Sequence, residues 1–187
     1  MNQWNKKNAL WMVVYAILYS VLTYLSCALG MIHPIFFVIY QISAGLLVTG
    51  LVIYAFRKVQ APGAAACLVA GLLLFLVIIQ DLNAWHAVPL LVILVLAEAV
   101  RALMKYSWTG DVIAAVIMSF STVGYYAQIW FNRAFTYEAA VEEMRAGYAD
   151  TLMACSPNWA LPVVILAGIA VSVCTSYLTA KLFKLEK

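Results

Sequence analysis

Charge is scarce in this chain: Asp, Glu, Lys and Arg make up 10% of its 187 residues, against about 25% in a soluble domain. With 66% hydrophobic residues and a mean hydropathy of +0.96, that shortage excludes a water-soluble globular domain. The net charge of +3 is small and thinly spread, so no nucleic-acid partner is expected. No G-x-x-x-x-G-K-[ST] occurs, and the chain therefore has no means of its own to hydrolyse ATP. Neither H-E-x-x-H nor a carboxylate pair inside an apolar run is present to support an intramembrane hydrolase. Cys27, Cys67, Cys155 and Cys174 lack C-x-x-C spacing and read as buried, small apolar side chains. No metal site and no intrinsic cofactor is expected. The first apolar run is too long for a signal peptide and has no small-residue cleavage site after it.

What the chain does have is six long apolar runs. The expected fold is all-α: one polytopic membrane domain over 1–187 with six transmembrane helices embedded in membrane lipid. The runs extend over Ala9 to Gly30, Pro34 to Tyr54, and Ala64 to Ile79 after Pro62-Gly63. They continue over Ala84 to Met104, from Asp111 (with Thr109 and Gly110 before it as a helix start) to Phe131, and over Pro157 to Phe183. Most connections are short, so consecutive helices are expected to pack as antiparallel neighbours. Six spans put Lys6, Lys7, Arg57, Lys58, Arg101, Lys105, Lys181, Lys184 and Lys187 on one side and only Arg133 and Arg145 on the other. The positive-inside rule then makes both termini cytoplasmic.

Between the fifth and sixth runs lies the most polar stretch, 133–156, which holds Glu138, Glu142, Glu143 and Asp150, four of the eight acids. Its apolar residues Tyr137, Val141, Met144, Tyr148, Leu152 and Cys155 recur three or four apart, the spacing of an amphipathic helix. Such a helix lies on a membrane surface or over a cavity mouth, and here it would be extracellular.

Polar and aromatic residues gather toward the same outer side: Thr23 and Tyr24, His33, Gln41, Gln80, Trp85 and His86, Tyr125 and Gln128, Tyr148, and Asn158 and Trp159. Polar groups at membrane depth are costly unless they face the bundle or a wet cavity. They therefore mark either an outward pocket lidded by 133–156 or an interfacial belt with interhelical hydrogen bonds. A largely planar, partly apolar small-molecule substrate, such as a tetrapyrrole or an aromatic vitamin, suits such residues; His33 or His86 would be the candidate haem ligand. Small residues four apart (Ala16 and Ser20; Gly63, Cys67 and Gly71; Gly168, Ser172 and Ser176) either close the bundle or dock another membrane protein. Glu98 is paired by spacing with Arg101, one turn on.

The run Tyr148-Ala149-Asp150-Thr151-Leu152-Met153, followed by Ser156-Pro157-Asn158-Trp159-Ala160-Leu161-Pro162-Val163-Val164, resembles the Y-A-D-x-L-M…P-N-W-x-L-P-V-I pattern of the Trep_Strep family. Tyr15 to Tyr19 and Pro34-Ile35-Phe36 are weaker matches to that family's start. The family is grouped with the S components of energy-coupling factor (ECF) transporters. This resemblance implies a substrate-capturing subunit in a bacterial plasma membrane, working with a transmembrane T subunit and two ATPase subunits that consume the ATP. It also implies that outer loops gate the site and that small residues of the first span touch the T subunit. Ala16 and Ser20 stand where that contact would be, with Ser20 in place of the second alanine of an Ala-x-x-x-Ala motif. A cytochrome-like or scaffold subunit without transport is the alternative from another class.

Overall fold

A computed structural model describes residues 3–185, and the regular structure among them is all helical. Lys187, counted above among the basic residues, lies outside the described residues. The chain opens with α1 (Lys6–Ile32), whose first turn is capped by the Asn5 side chain accepting from the Asn8 amide at 2.8 Å. The second apolar run is divided into α2 (Pro34–Val38), α3 (Tyr40–Leu47) and α4 (Thr49–Lys58). Then follow α5 (Ala64–Ile78), α6 (Ala84–Leu103) and the short helices of the fifth run, α7 (Trp108–Met118), α8 (Val123–Tyr126) and α9 (Gln128–Phe131). The chain finishes with α10 (Arg133–Glu143), α11 (Tyr148–Cys155) and α12 (Ala160–Leu182).

Four segments are long and apolar enough to cross a membrane: α1, Tyr40–Lys58, α6 and α12; the bent pair Trp108–Met118 and Val123–Phe131 makes a fifth if it is one span. The expected third span is shorter. Its 15 residues reach about 22 Å, less than the roughly 30 Å of hydrocarbon. The fifth run bends by 42° at Ser119-Phe120-Ser121-Thr122, where hydroxyls compete for backbone carbonyls; Ser119 Oγ donates to the Val116 carbonyl at 2.7 Å.

Tight packing comes from small residues. α1 runs along α5, where Ala16 presses on Gly71, and α12 runs along α3, where Gly168 faces Gln41 and Ser172 faces Gly45. Ser172 and Ser176 are fully buried, so this stripe closes the bundle rather than docking another protein.

Two expectations about charge are corrected. Asp111 does not start α7: Ser107 does, with its hydroxyl accepting from the Gly110 amide at 3.3 Å. Asp111 is instead fully buried, and its two oxygens hold Arg101 (2.8 Å) and Arg57 (3.0 Å). Arg101 also donates to the Phe56 and Val59 carbonyls. Glu98 is therefore not its partner; Glu98 Oε1 accepts from the Gly63 and Ala65 amides at 3.1 and 2.8 Å, closing the open start of α5. A charge buried in the bundle needs the opposite charge from another helix, and spacing along one helix carries no such information.

The segment 133–156 is also not one helix. It breaks at Met144, and Gly147 takes a positive φ of 79° to begin α11. The expected stripe holds on α11, where Tyr148 and Leu152 are buried, but fails on α10, where Tyr137 and Val141 are exposed and Ala140 is buried. The break turns α10 back over the bundle end.

Candidate functional site

The α10–α11 hairpin caps one end of the bundle. Arg133 ties its base, donating to the carbonyls of Ser156 (2.7 Å), Met153 (3.2 Å) and Ile129 (3.3 Å). The Tyr137 hydroxyl donates to Asp150 Oδ1 at 2.9 Å and joins the two helices, a bond that pushes the Tyr137 phenol above its ordinary pKa. Two bonds fasten the hairpin to the end of α1: Tyr148 OH to the Gly30 carbonyl at 2.7 Å and Arg145 to the Ile32 carbonyl at 3.3 Å. Burial raises the Tyr148 pKa, with Arg145 opposing, so this phenol stays a donor. Tyr148→Phe is expected to remove about 1 kcal/mol of hairpin anchoring. Amide hydrogen exchange at residues 144–152 would report it as faster opening; unchanged exchange would mean the bond holds nothing.

Beneath the hairpin is a chamber of about 320 Å³. Its walls come from the ends of α1, α5, α6, α8 and α10: Thr23, Tyr24 and Cys27; Leu72 and Phe75; Asp81 and His86; Thr122 and Tyr125; Glu143 and Met144. A recess of about 70 Å³ adjoins it, sharing Phe37, Tyr125, Glu143 and Met144 and adding Gln128, Ala140 and Tyr148. His86 is 3% exposed, stacks on Tyr125 with centroids 5.0 Å apart, and has its Nε2 3.5 Å from Asp81 Oδ2. Neither imidazole nitrogen closes a hydrogen bond, and the same holds for the buried hydroxyls of Thr23 and Thr122 and for Gln128 Oε1. Buried polar atoms are normally paired. Several unpaired ones around a single hollow are what a ligand or water would satisfy.

The sequence-derived candidates separate into four groups. Tyr24, His86 and Tyr125 line the chamber, and Gln128 and Tyr148 line the recess with Tyr125. Gln41 lies behind them, fully buried; its Nε2 donates to Ser119 Oγ and its Oε1 accepts from Tyr126 OH, both at 2.9 Å. Its role there is to bind α3 to α7 and α8. His33, Gln80, Trp85, Asn158 and Trp159 are exposed and line neither space. The His33 side chain accepts from the Ile35 amide at 3.2 Å and caps α2, and Gln80 ends α5 with a φ of 60°. Ala16 and Ser20 are buried at the floor of a groove of about 610 Å³ between α1 and α5.

Two lining residues, Asp81 and Glu143, stand outside the set of polar and aromatic candidates read from the sequence. Asp81 was legible as an acid ending an apolar run. Glu143 was not, because the break after it redirects α10. Cys27, Thr122 and Phe37 carried no signal, being apolar or singly polar residues in apolar surroundings, and Met144 was legible only as part of the amphipathic stripe. Among the described residues no cluster of three or more His, Cys, Asp or Glu could hold a metal ion.

Fold and cavity together define a polytopic helical membrane protein with a capped, partly polar hollow at one end. The family described as "Hypothetical bacterial integral membrane protein (Trep_Strep)" matches residues 6–186, and the chain belongs to it. No curated protein and no solved structure matches the chain.

Proposed function

We propose that this protein is the substrate-capturing S component of an energy-coupling factor importer, taking a scarce, partly apolar small molecule from outside the cell. The observation that carries this is the hollow under the α10–α11 hairpin, with unpaired polar atoms around it and a cap fastened by a few hydrogen bonds. In this reading the chain spans the bacterial plasma membrane six times with α5 as a short third span. Both termini are cytoplasmic, and the hairpin is extracellular. The distribution of basic residues supports that orientation. The groove floored by Ala16 and Ser20 supports contact with a T subunit. The chain has no ATP-binding motif, so two partner ATPases would reshape or reorient the bundle to release the substrate inward.

A cytochrome-like role has less to stand on, since His33 is spent on capping α2 and only His86 faces the chamber. The same placement disfavours haem as cargo: its two propionates would meet Asp81 and Glu143, both lining residues.

The test uses small molecules that co-purify with the protein, identified by mass spectrometry and supplied as tracers to proteoliposomes. Accumulation is expected only when T subunit, ATPases and ATP are all present. ATP-dependent uptake by this chain alone, or a protein that carries no small molecule and retains no tracer, overturns the assignment.

A further inference from the structure

We infer that the chamber selects an organic cation, a molecule with an apolar, preferably aromatic body and one positively charged nitrogen. This inference rests on the capture reading and names its substrate class. The charge on the lining is one-sided: Asp81 and Glu143 are present, and no lysine or arginine lines the chamber or its recess. Arg145, one residue beyond Met144, turns its guanidinium to the Ile32 carbonyl at 3.3 Å. Both carboxylates line the same chamber as Tyr125. A hollow with low-dielectric walls and two like charges at its rim concentrates ions of the opposite sign and rejects those of the same sign.

Two further observations point to a ligand and not merely to a solvated acidic rim. His86 is 3% exposed, with Nε2 turned to Asp81 Oδ2 at 3.5 Å and Nδ1 without a partner, and the buried Thr23 and Thr122 hydroxyls on the same lining close no hydrogen bond. A neutral imidazole and two hydroxyls can all accept from an ammonium group, which carries donors only. Four aromatic rings stand among the aliphatic residues of the wall: Tyr24 meets Phe75 edge-on with centroids 5.6 Å apart, and Phe37 meets Tyr125 in the same way at 5.7 Å. Aromatic faces attract a desolvated cation and also pack an apolar body, whereas they offer an anion nothing.

The experiment compares three probes of similar size by titration calorimetry on the full chain in zwitterionic nanodiscs: phenethylammonium, 2-phenylethanol and phenylacetate. Phenethylammonium is expected to bind at least about tenfold more tightly than the neutral alcohol, a difference of about 1.4 kcal/mol. Phenylacetate should give no heat, and added salt should weaken the cation's binding. Asp81→Asn and Glu143→Gln should each weaken phenethylammonium about tenfold while leaving 2-phenylethanol unchanged. Equal binding of cation and alcohol, or preferred binding of phenylacetate, overturns the cation preference while leaving capture standing. Absence of phenethylammonium binding overturns it as well; capture is then judged separately, by the co-purifying molecules.

Discussion

Asp111→Ala is expected to be the most damaging single charge removal, costing about 3–5 kcal/mol and lowering the melting temperature in detergent by about 10 °C. Asp111 is fully buried between Arg101, itself 0% exposed, and Arg57. Removing it takes away the carboxylate that both guanidinium groups share. Arg101 cannot escape to water, because its guanidinium lies over the Phe56 ring, with Cζ 4.1 Å from the centroid, and its Nη2 is bonded at 2.7 Å to the Val59 carbonyl. The three residues join α4, α6 and α7, so their repulsion would pry apart three helices at once. Arg101→Met combined with Asp111→Leu removes the more deeply buried of the two cations together with the carboxylate and should recover part of the loss. A single variant melting within about 2 °C of wild type would show that the ion group contributes nothing to the bundle.

The Arg–Asp–Arg group also marks the limit of what the sequence revealed. Arg57 and Arg101 were legible as cations ending apolar runs, and Asp111 as an acid at a helix start. Their union was not, because it depends on three helix ends meeting, and the nearby Glu98 offered a local partner that the fold uses elsewhere. Apolar periodicity exposed the long helices α1, α6 and α12 directly, since 20 or more apolar residues allow no other use in a membrane. It placed α5 to within one residue, between Gly63 and Gln80, both with positive φ, but the 15 residues so bounded are short for a span. The bend after Met118 falls at three hydroxyl residues within four positions, Ser119, Ser121 and Thr122, which the apolar pattern of the fifth run passes over.

At the site, residues inside spans were judged better than residues at their ends. His86 and Gln128 are buried in the bundle, as polar groups at membrane depth require, while Tyr125 lines the chamber and keeps 36% of its surface exposed. His33, Gln80, Trp85, Asn158 and Trp159 lie where water or headgroups can satisfy them, so their polarity imposed no direction. Only the fold decided that they point away.

The second large effect is steric, and it falls on the floor behind the chamber. Gly168 on α12 lies so close to α3 that a Cβ there would meet the Gln41 side chain and would stand 2.9 Å from the Gln41 carbonyl oxygen. A side chain can swing aside, but this backbone oxygen belongs to a helix pinned elsewhere. Ser172, one turn on, would sit 2.7 Å from a Cβ on Gly45, so the two helices interlock from both sides. Without a hydrophobic force between helices in lipid, such close contact is itself the main source of their association. Gly168→Ala is therefore expected to cost about 1–3 kcal/mol and Gly168→Leu to prevent a monodisperse protein. The displacement would pull Gln41 from Ser119 and Tyr126, the residue next to chamber-lining Tyr125. Loss of co-purifying ligand should accordingly accompany the lower melting temperature in Gly168→Ala. Gly147→Ala is the contrast: nothing lies within 4 Å of its Cβ, but its φ of 79° is strained for alanine, so it should loosen the hairpin and leave the bundle's melting temperature near wild type. If Gly168→Ala melts no lower than Gly147→Ala, α3 and α12 are not held by close approach, and the wall behind the chamber owes its rigidity to something else.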